Sequence, residues 1–463
     1  MTEPCDLSAV EARRLIGRKA LSPVELTDSC IARIEAVDGA VNAMVTRCIE
    51  RAREEAKAAE KAVSRGDELG VLHGLPMGVK DLNVTEGVLT TYGSPIHAEN
   101  VPAQDERIIA ALRRAGAIVI GKTNTPEFGA GANTKNAVFG VTGNPFDPKR
   151  ICGGSSGGSA VALATGMAPI CTGSDTGGSL RTPASFCGVV SHRGTPGLVP
   201  SDKRGIGLTT YNVQGPMARN VADTSLMLAA MAGNDPCDPL SGPVDANSFV
   251  EVEEVDLSQL RVAWSTDLGC VPVDNDIARI FEERVGKIAS SFKSCERRDP
   301  DMARALDVFW VIRGVGFLAG RMDAYRNTPE LLGPNVTSNV EAALKMTAEE
   351  IGWASAEQTA IYRRFQSFFD DVDVFSTFSV VVFEEEVAAS LDDDVGLLQK
   401  NDVIAAQPIR FFTNFSFFFF SRSNSFNSFS FCFFSSRARR AASFCSAFSL
   451  FNLFLSSSRS CSR

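Results

Sequence analysis

Short uncharged apolar runs alternate with longer amphipathic stretches through the first 400 residues of this chain. No other feature limits the possible folds as much. AIVIG, closed by a lysine (117–122), APICTG (168–173) and LRVAWSTD (260–267) have the length and branching of buried strands. Ser22-Pro23-Val24-Glu25 is a capping box with proline at the first helical position, and it predicts a helix to about Val37. ERAREEAKAAEKAV (50–63), QDERIIAALRRAG (104–116), GGSAVALATG (157–166), VADTSLMLAAMAG (221–233) and DIARIFEERVGKI (276–288) read as further helices. A strand that is apolar on both sides must be covered on both sides. The pattern therefore predicts an α/β fold: one large domain over 1–410, with a mixed, mostly parallel sheet between helical layers. The Pro- and Asp-rich loop 234–248 could bound a subdomain, but the sequence shows no second independent core.

Residues 411–463 break the pattern. They hold 16 of the 31 phenylalanines and 16 serines, with no Gly, Pro, Asp, Glu or Lys. Tight turns need Gly, Pro, Asn or Asp, and this segment offers four asparagines alone. Runs such as FFTNFSFFFF have a period of neither 2 nor 3.6. Three readings stay open: a membrane-surface anchor, a genuine Phe-rich structural element, or a shifted reading frame or sequence error. The simultaneous loss of whole residue types favours the third. On that reading the segment packs poorly and lowers soluble yield, and a restored-frame form expresses better.

With 44% hydrophobic and 22% charged residues, the chain is neither disordered nor fibrous. A net charge of −9 disfavours nucleic-acid binding through a basic surface. No run of about 18 apolar residues predicts a membrane span, and the first residues do not read as a signal peptide. A cytoplasmic protein with reduced thiols is expected, since the twelve cysteines contain no CxxC. With three histidines and no HExxH, neither a metal nor any other cofactor is expected.

Three short patterns mislead. GAIVIGKT (116–123) fits a P-loop, but its middle residues are themselves the strand, so they cannot wrap phosphate, and Lys122 reads as a plain strand-end lysine. GGSSG (153–157) fits a nucleophile elbow, yet only His192 follows Ser155, and the acid would have to be Asp175, squeezed between the two. SSFK (290–293) lacks the companion motifs of its class.

Chemistry concentrates in ICGGSSGGSAVALATG (151–166) and GSDTGGSLRTPASFCG (173–188). Glycines let backbone N–H groups approach a substrate closely. The TGGS turn (176–179) places four consecutive N–H groups around a serine, as an oxyanion hole beside a nucleophile requires. With histidine scarce, the base can be a buried lysine whose pKa is lowered to roughly 7–8. LPMGVKDLN (75–83) offers Lys80 at the end of an apolar strand. Strand alternation sends Asp81 to the other face, and Asp175 with Arg181 is expected to brace the turn.

LPMGVKD, CGGSSGGSA and GSDTGGSLRTPASFCGVV, in that order, resemble the amidase signature family. The likeness runs from about Ser8 to Asp373 through GKTNTPEFG, TGNPFDP, QGPMARNVAD and LLGPNV. The resemblance implies the amidase signature fold and a Ser–cis-Ser–Lys triad. Ser179 would be the acyl-forming nucleophile, Ser155 the bridging serine after a cis peptide, and Lys80 the base. It also implies oxyanion contacts from Thr176, Gly177, Gly178 and Ser179, and a backbone substrate contact at Gly129. A small-molecule amide is the implied substrate, and a homodimer stays open. Two alternatives remain: a glutaminase similar to the A subunit of tRNA-dependent amidotransferases, and an inactive homologue that binds a partner. The family's C-terminal Gly/Pro-rich stretch, which completes the sheet and part of the acyl pocket, has no counterpart here. DVDVFSTFSVVVF (371–383) lacks the prolines of the family's strand.

Overall fold

The computed structural model describes residues 3–250 and 255–377, and of residues 418–421 the backbone alone. Its strands are β1 Met44–Arg47, β2 Pro76–Lys80, β3 Ile118–Thr123, β4 Lys135–Asn136, β5 Gly140–Val141, β6 Ile170–Asp175, β7 Val190–Ser191, β8 Val213–Ala218, β9 Arg261–Ser265, β10 Ser294–Arg297, β11 Val374–Thr377 and β12 Phe418–Ser421. Its helices are α1 Ala9–Gly17, α2 Pro23–Val41, α3 Ile49–Arg65, α4 Arg107–Arg114, α5 Gly157–Ala164, α6 Arg181–Cys187, α7 Val221–Met231, α8 Asn275–Ile288, α9 Ala305–Asn327, α10 Pro334–Leu344 and α11 Ala348–Phe368.

Local chemistry sets many of these boundaries. Ser22 Oγ accepts from Val24 N at 2.9 Å while the Glu25 carboxylate accepts from Ser22 N at 2.9 Å, closing the predicted capping box of α2. That helix ends four residues later than the sequence suggests, at Asn42, whose left-handed φ of 53° stops it. The predicted helices at 50–63, 157–166, 221–233 and 276–288 appear as α3, α5, α7 and α8.

The main sheet runs β1-β3-β2-β6-β8-β7. Every residue of β2, β3 and β6 is buried, so both faces of the sheet's centre are covered. Helices α2, α3, α5 and α7 pack against its strands. The sheet is mixed. β2 pairs in parallel with β3 and β6, whereas β1, β7 and β8 join in antiparallel fashion. The alternation of helix and strand predicted a mainly parallel or mixed sheet, and the long apolar runs mark its doubly covered central strands. Edge strands with one covered face carry a weaker signature.

A second sheet, β10-β9-β11-β12, follows the 234–248 loop. Ala263, Phe365, Phe368, Phe369, Val372 and Phe375 form a buried cluster of their own beneath it. The sequence reading saw no second core. The phenylalanines of α11 and β11 lie over a hundred residues from the Ala263 they cover, so spacing along the chain does not expose the cluster. Within the Phe/Ser-rich segment, residues 418–421 pair antiparallel with β11. The rest of that segment, and the expectation that it packs poorly, lies outside the described residues. Among the described residues no helix is long and apolar enough to cross a membrane.

β2 and β6 are parallel neighbours, so Lys80 and Asp175, their last residues, end at the same edge of the sheet. The N-termini of α5 and α6 arrive at that edge. Open α/β sheets characteristically bind ligands there.

Candidate active site

Lys80 is fully buried, at 0% exposure. Its Nζ lies 2.8 Å from Ser155 Oγ, 2.8 Å from Ser156 Oγ and 3.0 Å from Ser174 Oγ. Among the described residues it has no carboxylate within ion-pair distance. Burial therefore lowers its pKa from 10.5 to about 7, against a weaker opposing pull from Asp175. A neutral amine there retains two N–H donors and turns its lone pair to one of the three hydroxyls. The backbone of Lys80 is also fixed: its N–H donates to Thr172 Oγ1 at 2.8 Å, and that hydroxyl donates to Asn83 Oδ1 at 2.8 Å.

The Gly154–Ser155 peptide is cis. Ser156 N–H donates to the Ser179 carbonyl at 3.2 Å, joining the two Gly/Ser-rich segments. Asp175 organises the second segment. Its carboxylate accepts from Gly178 N at 2.9 Å, Leu180 N at 3.1 Å, and Arg181 Nε and Nη2 at 3.0 Å each. Arg193 Nη1 adds bonds to the same carboxylate at 3.2 Å and to the Asp175 carbonyl at 2.7 Å. Burial alone would raise the Asp175 pKa, but Arg181 and Arg193 outweigh it and hold the group well below the usual carboxylate range.

Gly178 adopts a φ of +116°, which a side chain would strain. Its N–H donates to Asp175 Oδ1 at 2.9 Å. The sequence reading had counted it among the oxyanion contacts. The N–H groups of Thr176, Gly177 and Ser179 make no hydrogen bond among the described residues. Ser179 is half-buried, and no hydrogen bond of its Oγ to Ser155 is formed in this conformation. A χ1 rotation is the motion that re-aims such a hydroxyl. Gly129, with φ +73°, lies beside the bridging serine: a Cβ there would come 3.4 Å from Ser155 Oγ. Its carbonyl already accepts from Gly131 N at 3.1 Å.

The Amidase family model matches residues 25–384, a span that holds every one of these groups. The chain belongs to the amidase signature family. It is 35% identical over 397 residues to the A subunit of the glutamyl-tRNA(Gln) amidotransferase of Moorella thermoacetica, covering 80% of this chain and 81% of that one. It is 33% identical over 370 residues to an acylamidase of Rhodococcus erythropolis, covering 80% and 78%. A bacterial aryl acylamidase of the amidase signature family superposes with a TM-score of 0.73 at 25% identity, covering 80% of this chain and 79% of the other. The chain is accordingly a hydrolase acting on amide C–N bonds.

This amidase signature chain contains a second lysine as buried as the first. Lys122, the penultimate residue of β3, is 0% exposed. Its Nζ donates to the Asn83 carbonyl, to Thr85 Oγ1 at 2.9 Å and to Thr90 Oγ1 at 3.1 Å, and lies 3.9 Å from Asp81 Oδ1. Burial lowers its pKa to about 8, while Asp81 and Glu106 pull it back up. It is thus more than the plain strand-end lysine the sequence suggested. What separates the two lysines is their surroundings. Lys122 faces a carbonyl, a carboxylate and two threonine hydroxyls that donate to backbone carbonyls, whereas Lys80 faces three serine hydroxyls, Ser155 among them. Asp81 lies away from Lys80, as alternation predicts, and accepts from Thr91 Oγ1 at 2.6 Å.

Sequence reading missed Ser156, Ser174 and Arg193. The two serines flank residues already singled out, in GGSSGG and GSD, so adjacency was an available signal. Arg193 carried none: it meets Asp175 from 18 residues away.

Proposed function

We propose that the chain hydrolyses a carboxamide through an acyl-enzyme on Ser179, with Ser155 as proton shuttle and Lys80 as base. The observation that carries this reading is the buried Lys80 Nζ, 2.8 Å from Ser155 Oγ and without a carboxylate partner. Neutral Lys80 takes the Ser155 hydroxyl proton as Ser155 takes that of Ser179. Ser179 Oγ attacks the amide carbon, and the oxyanion rests on N–H groups of Thr176, Gly177 and Ser179. The proton returns through Ser155 to the leaving nitrogen, the C–N bond breaks, and the amine departs. Water then attacks the ester, its proton passing along the same relay to Ser179.

The base must be neutral, and a lysine with a pKa of about 7 loses its proton as pH rises through that value. Activity on simple aliphatic and aryl amides should therefore climb from about pH 6 and level off above about 8. Chelators should leave the rate unchanged. A rate that falls across this window, or one abolished by a chelator and restored by zinc, contradicts the reading.

A glutaminase that works within a complex is the second reading, favoured by the likeness to the Moorella protein. Glutamine hydrolysis that requires partner chains would select it. Turnover of simple amides by the chain alone selects the first reading and excludes a non-catalytic binding homologue.

A further inference from the structure

One face of α9 is built as an alternating stripe. Phe309, Arg313, Phe317 and Arg321 are spaced by four residues and so lie along one side of the helix. The stripe begins over the nucleophile loop: a Cβ placed on Gly177 would lie 2.8 Å from Phe309 Cζ. Tyr211 flanks Phe309 at 6.1 Å between ring centroids. The stripe's other end meets Phe128. The Arg321 guanidinium sits 3.9 Å from the Phe128 ring centroid, and Phe128 adjoins Gly129, which borders Ser155.

The two arginines are short of acidic partners. Arg313 donates to Asn339 Oδ1 at 2.8 Å and packs on Phe317 at 4.9 Å. Arg321 donates to the carbonyl of Gly320 at 3.1 Å. Among the described residues neither forms an ion pair within 4 Å. The carboxylate whose charge acts on Arg321 is that of Glu127, and it is already taken by Ser94 Oγ at 2.7 Å and Gly333 N at 2.8 Å. Burial lowers the pKa of both arginines, that of Arg313 to about 10. Both guanidinium groups are half-buried, and a cation partly withdrawn from water without an ion-pair partner is only partly compensated by stacking on an aromatic face. An anionic ligand would supply the rest.

We propose that Arg321, against Phe128, is a recognition site for a carboxylate on the substrate, so that the preferred amides are monoamides of short dicarboxylic acids. The proposal rests on the amide hydrolase reading above. The acidic group would lie against Arg321 and Phe128, while the stripe's other end, Phe309, packs against Gly177 of the nucleophile loop. A planar guanidinium with free donors accepts a carboxylate in two parallel hydrogen bonds.

The test compares kcat/KM for succinamate, glutaramate and adipamate with uncharged amides of equal chain length. One member of the acid series should exceed its neutral counterpart by about 10- to 100-fold, with the advantage shrinking at high salt. Arg321→Met should reduce that acid-to-neutral ratio by at least about 10-fold, and Arg321→Lys should restore part of it. A merely structural arginine would lower both rates and leave the ratio alone. Equal rates on acid and neutral amides, or a ratio untouched in Arg321→Met, overturn the proposal while leaving amide hydrolysis standing. Absence of turnover on every amide defeats the hydrolase reading instead. Binding still decides the carboxylate site in that case: succinate should raise the unfolding temperature of Ser179→Ala protein and fail to do so when Arg321→Met is added. A like rise in both proteins overturns the site.

Discussion

Ser179→Ala protein is expected to show no amide turnover, and Lys80→Met protein to lose about 10⁴-fold or more. A positioned general base alone contributes roughly 10²–10⁴-fold, and residues that act as a unit fail together, so removing either end of the relay costs nearly as much as removing both. Lys80→Met keeps the stem's length and apolar packing, so the buried site need not collapse. Ser155 and Ser156 then lose the amine that each meets at 2.8 Å. Lys122→Met is the informative companion. Lys122 is equally buried, but Asn83, Thr85, Thr90 and Asp81 surround it, and none of these is a serine of the relay. Its replacement should lower stability and leave the pH midpoint of activity near 7. A fluorophosphonate should add its mass to the peptide containing Ser179. Modification at Ser155 would reverse the assigned roles, and wild-type turnover in Ser179→Ala would falsify the mechanism.

Asp175→Asn should have the largest effect on stability, lowering it by about 3–5 kcal/mol, the usual cost of removing one partner from a buried ion pair. Two guanidinium groups lose their anion at once. The Asp175 side chain is 0% exposed, that of Arg193 9% and that of Arg181 24%. The same carboxylate holds Gly178 N and Leu180 N, so the turn carrying Ser179 loses its brace. Turnover should fall with stability, and the denaturant midpoint measures the second effect separately. The sign with pH follows from the lowered pKa. The ion pair's contribution is complete above the unfolded value of 3.8 and is lost as pH falls below it. Asp175→Asn protein should accordingly lose less further stability on acidification than the parent. A variant with the parent's midpoint and full activity would mean that the turn is held by something else.

The order of the candidate site's segments was legible in the chain. A strand ending in Lys80, two Gly/Ser-rich runs each leading into a helix, and the Asp175–Arg181 pair could be read from residue types and local spacing. The start of a helix was legible where a capping box punctuates the chain, as at Ser22, whereas the left-handed Asn42 that ends the same helix was not. These properties depend on neighbours within a turn or two, which is the range over which sequence acts directly. The tertiary structure decided the rest. Two lysines stand at or next to the ends of neighbouring strands with similar local sequence. Only the arrival of Ser155, Ser156 and Ser174 from other segments distinguishes Lys80, because desolvation and hydrogen-bond partners belong to a place in the fold and not to a residue type. Arg193 joins Asp175, Gly178 turns its N–H to that carboxylate, and α9 lays Phe309 against Gly177 and Arg321 against Phe128. The antiparallel outer strands and the second core were hidden for the same reason: each depends on pairing between segments far apart in the chain, and nothing local to either segment specifies its partner.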